Sequence, residues 1–295
     1  PFRERWAGRE KDVLGQQQRA HRGAHRGGPL GAPLPSFGAS ARELLREGSG
    51  AFKDGFYQVA EAQFREFLQA FPHHSQVPNV TYLLGKALYQ QQKFAESKET
   101  FITLLFSHTG FQASDAVFFW LGRSYEKIGD LLNAKNNYLT IVTKYPHSPW
   151  YHPSLLLLGR LSFHEGRYKR SEMYLRKILK DRTVDPLLSC STKFWLGISL
   201  YEQGRYEASE DLLQDVVYSE LQEGLLEEAL YWLGETHIKL KKYKKGAMIF
   251  RSLLDHFPRS TFTAHALYGE SLCLYMSDKK EEALQRLLTL QKDFF

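Results

Sequence analysis

Small and apolar residues recur along this chain with a period of about 37 residues. From residue 41 onward a small residue returns at intervals of 37, 37, 37, 38, 37 and 37, and in five units a leucine precedes it. We call this residue the anchor and number the other positions of each unit from it. The anchors are Gly48, Gly85, Gly122, Gly159, Gly197, Gly234 and Ser271. A fixed period of this length is typical of repeat proteins, in which each unit forms one supersecondary structure.

Further columns in the same register predict a helical hairpin in each unit. A glycine at +7 can end the first helix with positive φ at no steric cost, and four units have it: Gly55, Gly129, Gly166 and Gly204. A small residue at +12 and a large apolar residue at +16 let the second helix pack closely on the first. The +12 residues are Ala60, Ser97, Ala134, Ser171, Ser209, Gly246 and Ala283. Three units end in an aromatic residue followed by proline, which stops the second helix: Phe71-Pro72, Tyr145-Pro146 and Phe257-Pro258.

The pattern predicts an all-α fold, a right-handed α-solenoid of about seven helical hairpins over residues 41–295. No single hairpin can bury its own apolar face, so stability is expected to come from stacking neighbouring units. Residues 1–40 are predicted to be a separate tail, rich in Gly, Pro and Arg and without helical or strand periodicity.

Charge is unevenly distributed between the tail and the repeats. Residues 1–43 carry eight basic and four acidic side chains, which is +4 of the total net charge of +6. The basic character of the chain is therefore largely a property of the tail, and it does not indicate a nucleic-acid-binding body. We expect the tail to be a disordered, solvated lead-in, the alternative being contact with anionic lipid or nucleic acid.

The residues resemble a known repeat family. One unit reads Phe194-Trp195-Leu196-Gly197, then Tyr201, Gly204, Arg205-Tyr206 and Ser209, which is similar to the tetratricopeptide repeat. The long 37-residue unit and the endings FPHHS, YPHS and FPRS resemble the repeats of bacterial envelope proteins. Examples are the outer-membrane barrel-assembly lipoprotein and the periplasmic partner of the Tol-Pal system. The resemblance covers residues 41–295 and implies a periplasmic or envelope-associated scaffold that binds peptides or partner domains, the alternative location being the cytoplasm.

The same resemblance implies where a partner would bind. In tetratricopeptide arrays the first helices line a concave groove, and its inner positions here are −3, +1 and +4, which share one stripe of a helix. The candidate partner-binding residues are Tyr82, Lys86, Tyr89, Phe119, Arg123, Arg160, Phe163, Phe194, Tyr201 and Tyr231. Aromatic side chains with arginine are typical of binding hot spots. The basic residues at +1 suit an acidic or C-terminal-carboxylate peptide. The alternative is that the aromatic side chains pack against adjacent first helices.

Two units depart from the family pattern at single positions. Glu126 stands where neighbouring units have an aromatic residue at +4, and Lys280 stands where they have an aromatic residue at +9. The groove side of the last unit is therefore expected to differ from the others.

The sequence carries no motif that predicts catalysis. There is no phosphate-binding glycine loop, no dinucleotide-binding fingerprint, no HExxH and no nucleophile elbow. The eleven histidines show no convincing metal-ligand spacing. We therefore expect neither an enzyme nor a cofactor or metal site. No apolar stretch approaches the length of a membrane-spanning helix.

Two features bear on assembly. Cys190 and Cys273 fall two units apart, too far for a disulfide, so both are expected to be free and buried. Leu287, Leu290 and Phe294 occupy columns that would pack on a following unit, so we expect the chain to continue or this face to meet another chain. Self-association through the last unit, and an accessory module of a longer chain, are the alternatives to a groove-binding scaffold.

Overall fold

The computed structural model describes residues 39–221 and 224–294, which form α-helices joined by turns and contain no strand. Their helices, in chain order, are α1 (Ala41–Lys53), α2 (Tyr57–Ala70), α3 (Val77–Gln90), α4 (Phe94–Ser107), α5 (Ser114–Lys127), α6 (Leu131–Lys144), α7 (Tyr151–His164), α8 (Tyr168–Leu179), α9 (Pro186–Tyr201), α10 (Tyr206–Val217), α11 (Leu226–Lys239), α12 (Tyr243–His256), α13 (Thr263–Met276) and α14 (Lys280–Phe294). The predicted all-α array of hairpins is confirmed, while its right-handed sense stays a prediction. Most of the predicted tail, residues 1–38, lies outside the described residues.

Each odd-numbered helix carries an anchor, and each even-numbered helix is the second helix of the same hairpin. The described residues fall into two compact units, 39–154 and 155–294, with the boundary inside α7. In the first unit a buried cluster joins the first two hairpins. It consists of Leu44, Ala60, Phe64, Phe67, Val80, Leu84 and Leu88. The three aromatic-Pro steps end helices as predicted, because α2, α6 and α12 stop immediately before the aromatic residue.

The turn inside each hairpin has the same backbone conformation at +7. The four glycines predicted there have φ between 74° and 85°. In the other three hairpins a residue with a side chain adopts the same left-handed conformation: Gln92 (φ 63°), Lys241 (φ 58°) and Asp278 (φ 64°). A left-handed residue other than glycine is strained by its Cβ, so the hairpin geometry overrides local preference at these three turns.

The anchors are small because the second helix lies directly on them. A Cβ built on Gly85 would lie 2.6 Å from the ring of Phe101 at +16, and one on Gly197 would lie 3.0 Å from the Cγ of Leu213. Gly48, Gly122, Gly159 and Gly234 meet their own +16 side chains at 2.6–2.7 Å. The small +12 residues are all buried. These two columns therefore set the close approach of the helices within each hairpin, as predicted.

Ion pairs join successive hairpins through positions +13 and +8. Glu61 at +13 accepts a hydrogen bond from Lys93 at +8 of the next hairpin at 2.8 Å. Glu172 pairs in the same way with Arg205 at 2.7 Å, and Glu210 pairs with Lys242. Burial opposes the ionisation of Glu172, but hydrogen bonds from its basic neighbours and Gln203 outweigh this and lower its pKa. Sequence inspection missed this column, although the alternation of acidic +13 with basic +8 residues is visible in the sequence.

Both cysteines are free and buried, as predicted. Helix α14 buries Ala283 against its hairpin partner but leaves large apolar side chains exposed. These are Leu284, Leu287, Leu288 and Phe294, each at least 42% exposed.

Candidate partner-binding groove

The ten predicted groove residues all lie on first helices, but their exposure differs. Phe119, Phe194, Tyr89, Tyr231 and Arg123 are buried, with at most 8% of their surface exposed. The remaining five are half-buried: Tyr82, Lys86, Arg160, Phe163 and Tyr201. The buried side chains fill the interior of the array, so a partner could meet directly only the half-buried set.

Aromatic side chains at +4 pack on a tryptophan of the next first helix. The ring centroids of Tyr89 and Trp120 lie 5.1 Å apart, with an interplanar angle of 68°. Phe163 meets Trp195 at 5.5 Å and Tyr201 meets Trp232 at 5.2 Å, again edge to face. This matches the alternative drawn from the sequence, in which groove aromatics pack between adjacent first helices. The three tryptophans share position −2, a column that is visible in the sequence but was not predicted to contact the +4 residues.

Two aromatic residues at −3 are covered by the start of the following hairpin. Phe119 stacks on Trp150 with a centroid distance of 4.2 Å, and Tyr231 stacks on Phe262 at 4.6 Å. Trp150 and Phe262 both stand nine residues before their own anchors. Stacking at this distance places the two ring faces in direct contact, which explains the burial of Phe119 and Tyr231.

Lys86 occupies an aromatic box in the unit formed by residues 39–154. Its ammonium nitrogen lies 5.2, 5.5 and 5.3 Å from the ring centroids of Phe52, Tyr82 and Trp120. In the described part of the chain no carboxylate forms an ion pair with Lys86. Burial lowers the pKa of this ammonium group, which is the expected effect of removing a cation from water. The box therefore holds a half-buried positive charge whose neighbours are ring faces.

The other two basic candidate residues at +1 are placed differently. Arg123 is only 4% exposed on α5 of the first unit. Arg160 is half-buried on α7 and belongs to the unit formed by residues 155–294. Of the three, Lys86 has both partial exposure and an aromatic surround, which makes it the centre of the candidate site.

In the second unit an acidic residue occupies the same +1 position. Glu235 is half-buried on α11, and the hydroxyl of Tyr201 forms a hydrogen bond with its carboxylate. Burial raises the pKa of Glu235, while Lys239 and the Tyr201 hydrogen bond oppose the increase. Position +1 is therefore acidic in the sixth hairpin, whereas it is basic at Lys86, Arg123 and Arg160.

Within the described residues no group of three or more His, Cys, Asp or Glu side chains could hold a metal ion. None of the helices that the structure describes is long and apolar enough to cross a bilayer.

Comparison with known families supports the repeat assignment. Residues 38–177 match the model of YfiO, an outer membrane lipoprotein family, and residues 228–260 match a tetratricopeptide repeat family. The predicted resemblance to tetratricopeptide repeats of bacterial envelope proteins is thereby confirmed. Both are families of non-catalytic interaction modules, which supports a protein-interaction scaffold in general. Comparison of the sequence with curated proteins gives no match.

Several solved structures have a similar fold. A tetratricopeptide repeat protein from Parabacteroides merdae is 16% identical, with a TM-score of 0.59 over 86% of this chain and 93% of that one. The C-terminal part of a repeat protein from Cytophaga hutchinsonii is 17% identical, with a TM-score of 0.64 over 84% and 95%. PilW, described as a widely conserved type IV pilus biogenesis factor, is 17% identical, with a TM-score of 0.57 over 75% and 95%. Identities this low carry the fold alone.

Proposed function

We propose that this chain is a non-enzymatic scaffold that binds an acidic segment of a partner protein on the groove side of residues 39–154, with Lys86 as the central contact. The observation that carries the proposal is the aromatic box of Lys86, in which a half-buried ammonium has no carboxylate neighbour among the described residues. An ion pair in a partly desolvated site is stronger than one in water, so an incoming carboxylate would gain more here than at an exposed lysine.

The box also supplies the apolar part of a peptide site. Tyr82 is half-buried, and Phe52 on α1 is half-buried beside it. Aromatic rings with one centred charge can hold the side chain and the backbone of an extended segment around a single polar contact. A segment with one acidic residue, or a C-terminal carboxylate, flanked by apolar residues fits this arrangement. On this proposal Tyr82 and Lys86 are the direct contacts, and the buried candidates Tyr89, Phe119 and Arg123 hold the surface in shape.

We place this activity in a bacterial envelope complex. The match of residues 38–177 to an outer membrane lipoprotein family supports this location, as does the structural likeness to a pilus biogenesis factor. The cytoplasm is the alternative compartment, and fractionation of cells that express the full-length chain would decide between them.

A binding titration tests the role of Lys86. The probe is a fluorescein-labelled nonapeptide of alternating Glu and Leu, compared with the matching Gln and Leu peptide. We expect the acidic peptide to bind the wild-type chain and to bind Lys86→Met at least tenfold more weakly, because the cation is lost while the apolar stem is retained. Lys144→Met, at an exposed lysine of α6, is the matched control and should bind as wild type does. Equal affinity for both peptides, or an unchanged affinity of Lys86→Met, would refute the proposal.

A second candidate function is self-association. It is favoured by the exposed leucines of α14 together with Tyr275 and Met276 of α13, which are 59% and 49% exposed. Exposed apolar side chains clustered on neighbouring helices are typical of protein contact surfaces. Light scattering across a hundredfold range of concentration tests this with the wild-type chain and a Leu284→Glu, Leu288→Glu variant. If this surface self-associates, the molar mass of the wild-type chain should rise with concentration, and that of the variant should not.

A further inference from the structure

Two hairpins of the second unit carry the same basic surface motif. Following the +7 turn, repeat 4 reads Arg167-Tyr168-Lys169-Arg170 with Met173 three residues on, and repeat 6 reads Lys242-Tyr243-Lys244-Lys245 with Met248. The two methionines share position +14 and are 47% and 72% exposed. Lys169, Arg170, Lys244 and Lys245 are exposed, and none forms an ion pair in the described part of the chain. Each motif therefore presents exposed cations that form no ion pair within the described residues, next to an exposed, flexible apolar side chain.

Each motif also borders an open cleft. The cleft of repeat 4 has a volume of about 490 Å³ and lies between residues 166–170 and Gln203 of the next hairpin. The cleft of repeat 6 has a volume of about 440 Å³ and lies between residues 241–245 and Met276 with Ser277 of the next hairpin. Gln203 and Ser277 both stand at +6 of their repeats. The same local architecture thus occurs twice, two repeats apart.

The basic surface continues along α8. Lys177 on α8 and Lys180 immediately after it are exposed, and like Lys169 and Arg170 they have no ion-pair partner among the described residues. Arg176 forms an ion pair with Glu172 at 2.7 Å, so its charge is already partly neutralised. The outer side of α8 is therefore a strip of unpaired cations with Met173 within it, which is typical of a helix that lies on a charged interface.

The hairpin between the two motifs has the opposite charge. In repeat 5 the positions that correspond to Lys169 and Met173 hold Glu207 and Asp211, and both are exposed. A single stiff polyanion that spans both basic motifs would pass over this acidic strip and be repelled. A fluid surface of separately mobile anions can gather at each motif and leave the acidic strip unoccupied.

From this pattern we infer that the two motifs form a membrane-contact surface, at which anionic phospholipid headgroups gather around the cations and Met173 and Met248 insert at the level of the acyl-chain boundary. Clusters of Lys and Arg are attracted to anionic bilayers, and each residue near the surface contributes separately. Exposed methionine adds apolar area that a soluble acidic protein or nucleic acid would not require. This inference does not depend on the groove proposal, because the motifs lie on the turns and second helices.

Vesicle flotation tests the inference with the full chain, so that the basic residues of the tail are present in every sample. Vesicles of phosphatidylcholine alone are compared with vesicles that contain one third phosphatidylglycerol, at low and at physiological salt. We expect binding only to the anionic vesicles, weaker at the higher salt concentration. The variant Lys169→Glu, Arg170→Glu, Lys244→Glu, Lys245→Glu should bind at least a hundredfold more weakly.

A control variant with the same change of net charge distinguishes binding through the two motifs from a general effect of the net charge of the chain. It reverses Lys53, Lys144, Arg259 and Lys292, which are exposed and lie outside the motifs. This control should retain most of the binding, and Met173→Gln, Met248→Gln should lose severalfold while it keeps every cation. Equal loss in both charge variants, or full binding by the motif variant, would overturn the inference. So would binding to heparin or to inorganic phosphate without binding to anionic vesicles, which would indicate a soluble anionic ligand.

Discussion

The close approach within a hairpin predicts opposite effects for two alanine substitutions in the same helix. Gly48 and Gly50 both lie in α1, two residues apart. A Cβ on Gly48 would lie 2.6 Å from Cε1 and 2.9 Å from Cδ1 of Phe64, whose side chain is fully buried. A Cβ on Gly50 would meet nothing within 4 Å. The same substitution therefore tests packing at one site and backbone propensity at the other.

The magnitudes follow from these distances. Replacing glycine by alanine inside a helix gains about 1 kcal/mol of intrinsic propensity, and this is the expected effect of Gly50→Ala. At Gly48 the same gain is opposed by overpacking, which costs about 1–3 kcal/mol when a core cannot move. Phe64 lies in a cluster of fully buried residues, so we expect the upper part of that range and a net loss of about 1–2 kcal/mol for Gly48→Ala. The two variants should then differ by about 2–3 kcal/mol.

Hydrogen exchange measured by mass spectrometry is the suitable assay, because stacked repeats need not unfold in one step. Peptides from residues 41–70 report opening of the hairpin formed by α1 and α2. Gly48→Ala should speed exchange of these peptides, and Gly50→Ala should slow it. The double variant Gly48→Ala, Phe64→Leu should recover part of the loss, because leucine is smaller than phenylalanine and already occupies +16 above Gly159 and Gly197. If both single variants shift exchange in the same direction, the anchor glycine is not selected by contact with the +16 side chain.

Three further predictions concern turns, charge and pH. Lys241→Gly should stabilise the chain by about 1 kcal/mol, because it relieves a left-handed residue, and Gly204→Ala should destabilise it by a similar amount; urea unfolding of both variants checks the signs. A double-mutant cycle on Glu172 and Arg205 should give a coupling energy of no more than about 1 kcal/mol, because the arginine is half exposed. A coupling energy of zero would show that this ion pair does not stabilise the packing of successive hairpins. Burial lowers the pKa of His237, although Glu210 opposes this, so the unfolded chain binds the proton at a higher pH than the folded chain does. The free energy of unfolding should therefore fall as the pH drops below about 6.5. His237→Asn should reduce this pH dependence between pH 7.5 and 5.5, and an unchanged dependence would contradict the assignment.

The columns that sequence analysis identified are those that the backbone geometry requires. Gly55 at a left-handed turn and Gly85 beneath Phe101 admit few substitutes, so the same residue types return in each unit and reveal the period. The stop before Tyr145-Pro146 is fixed in the same way by the missing amide of proline. The number and register of the hairpins could therefore be predicted without coordinates.

The burial of the groove residues could not be predicted in this way. Position −3 is aromatic or apolar in every unit, yet its exposure depends on what the next hairpin places over it. Phe119 is buried because Trp150 stacks on it, whereas Tyr268 in the last hairpin remains 58% exposed. A side chain nine residues before the following anchor decides the outcome. The residue types at one position of each hairpin do not contain that information, because the contact is made with the next hairpin.

The division between fixed and variable columns also indicates where function resides in such an array. Positions held by packing, such as the anchor and +12, cannot change charge without loss of the hairpin. Position +1 is more variable: Arg123 is buried there, but Lys86 places an ammonium in the aromatic box and Glu235 places a carboxylate beside a tyrosine. Positions +10 and +14 vary likewise, from Lys169 with Met173 to Glu207 with Asp211. Where side chains at these positions are exposed or half-buried, their chemistry is free to follow a partner, and both proposed surfaces lie at such residues.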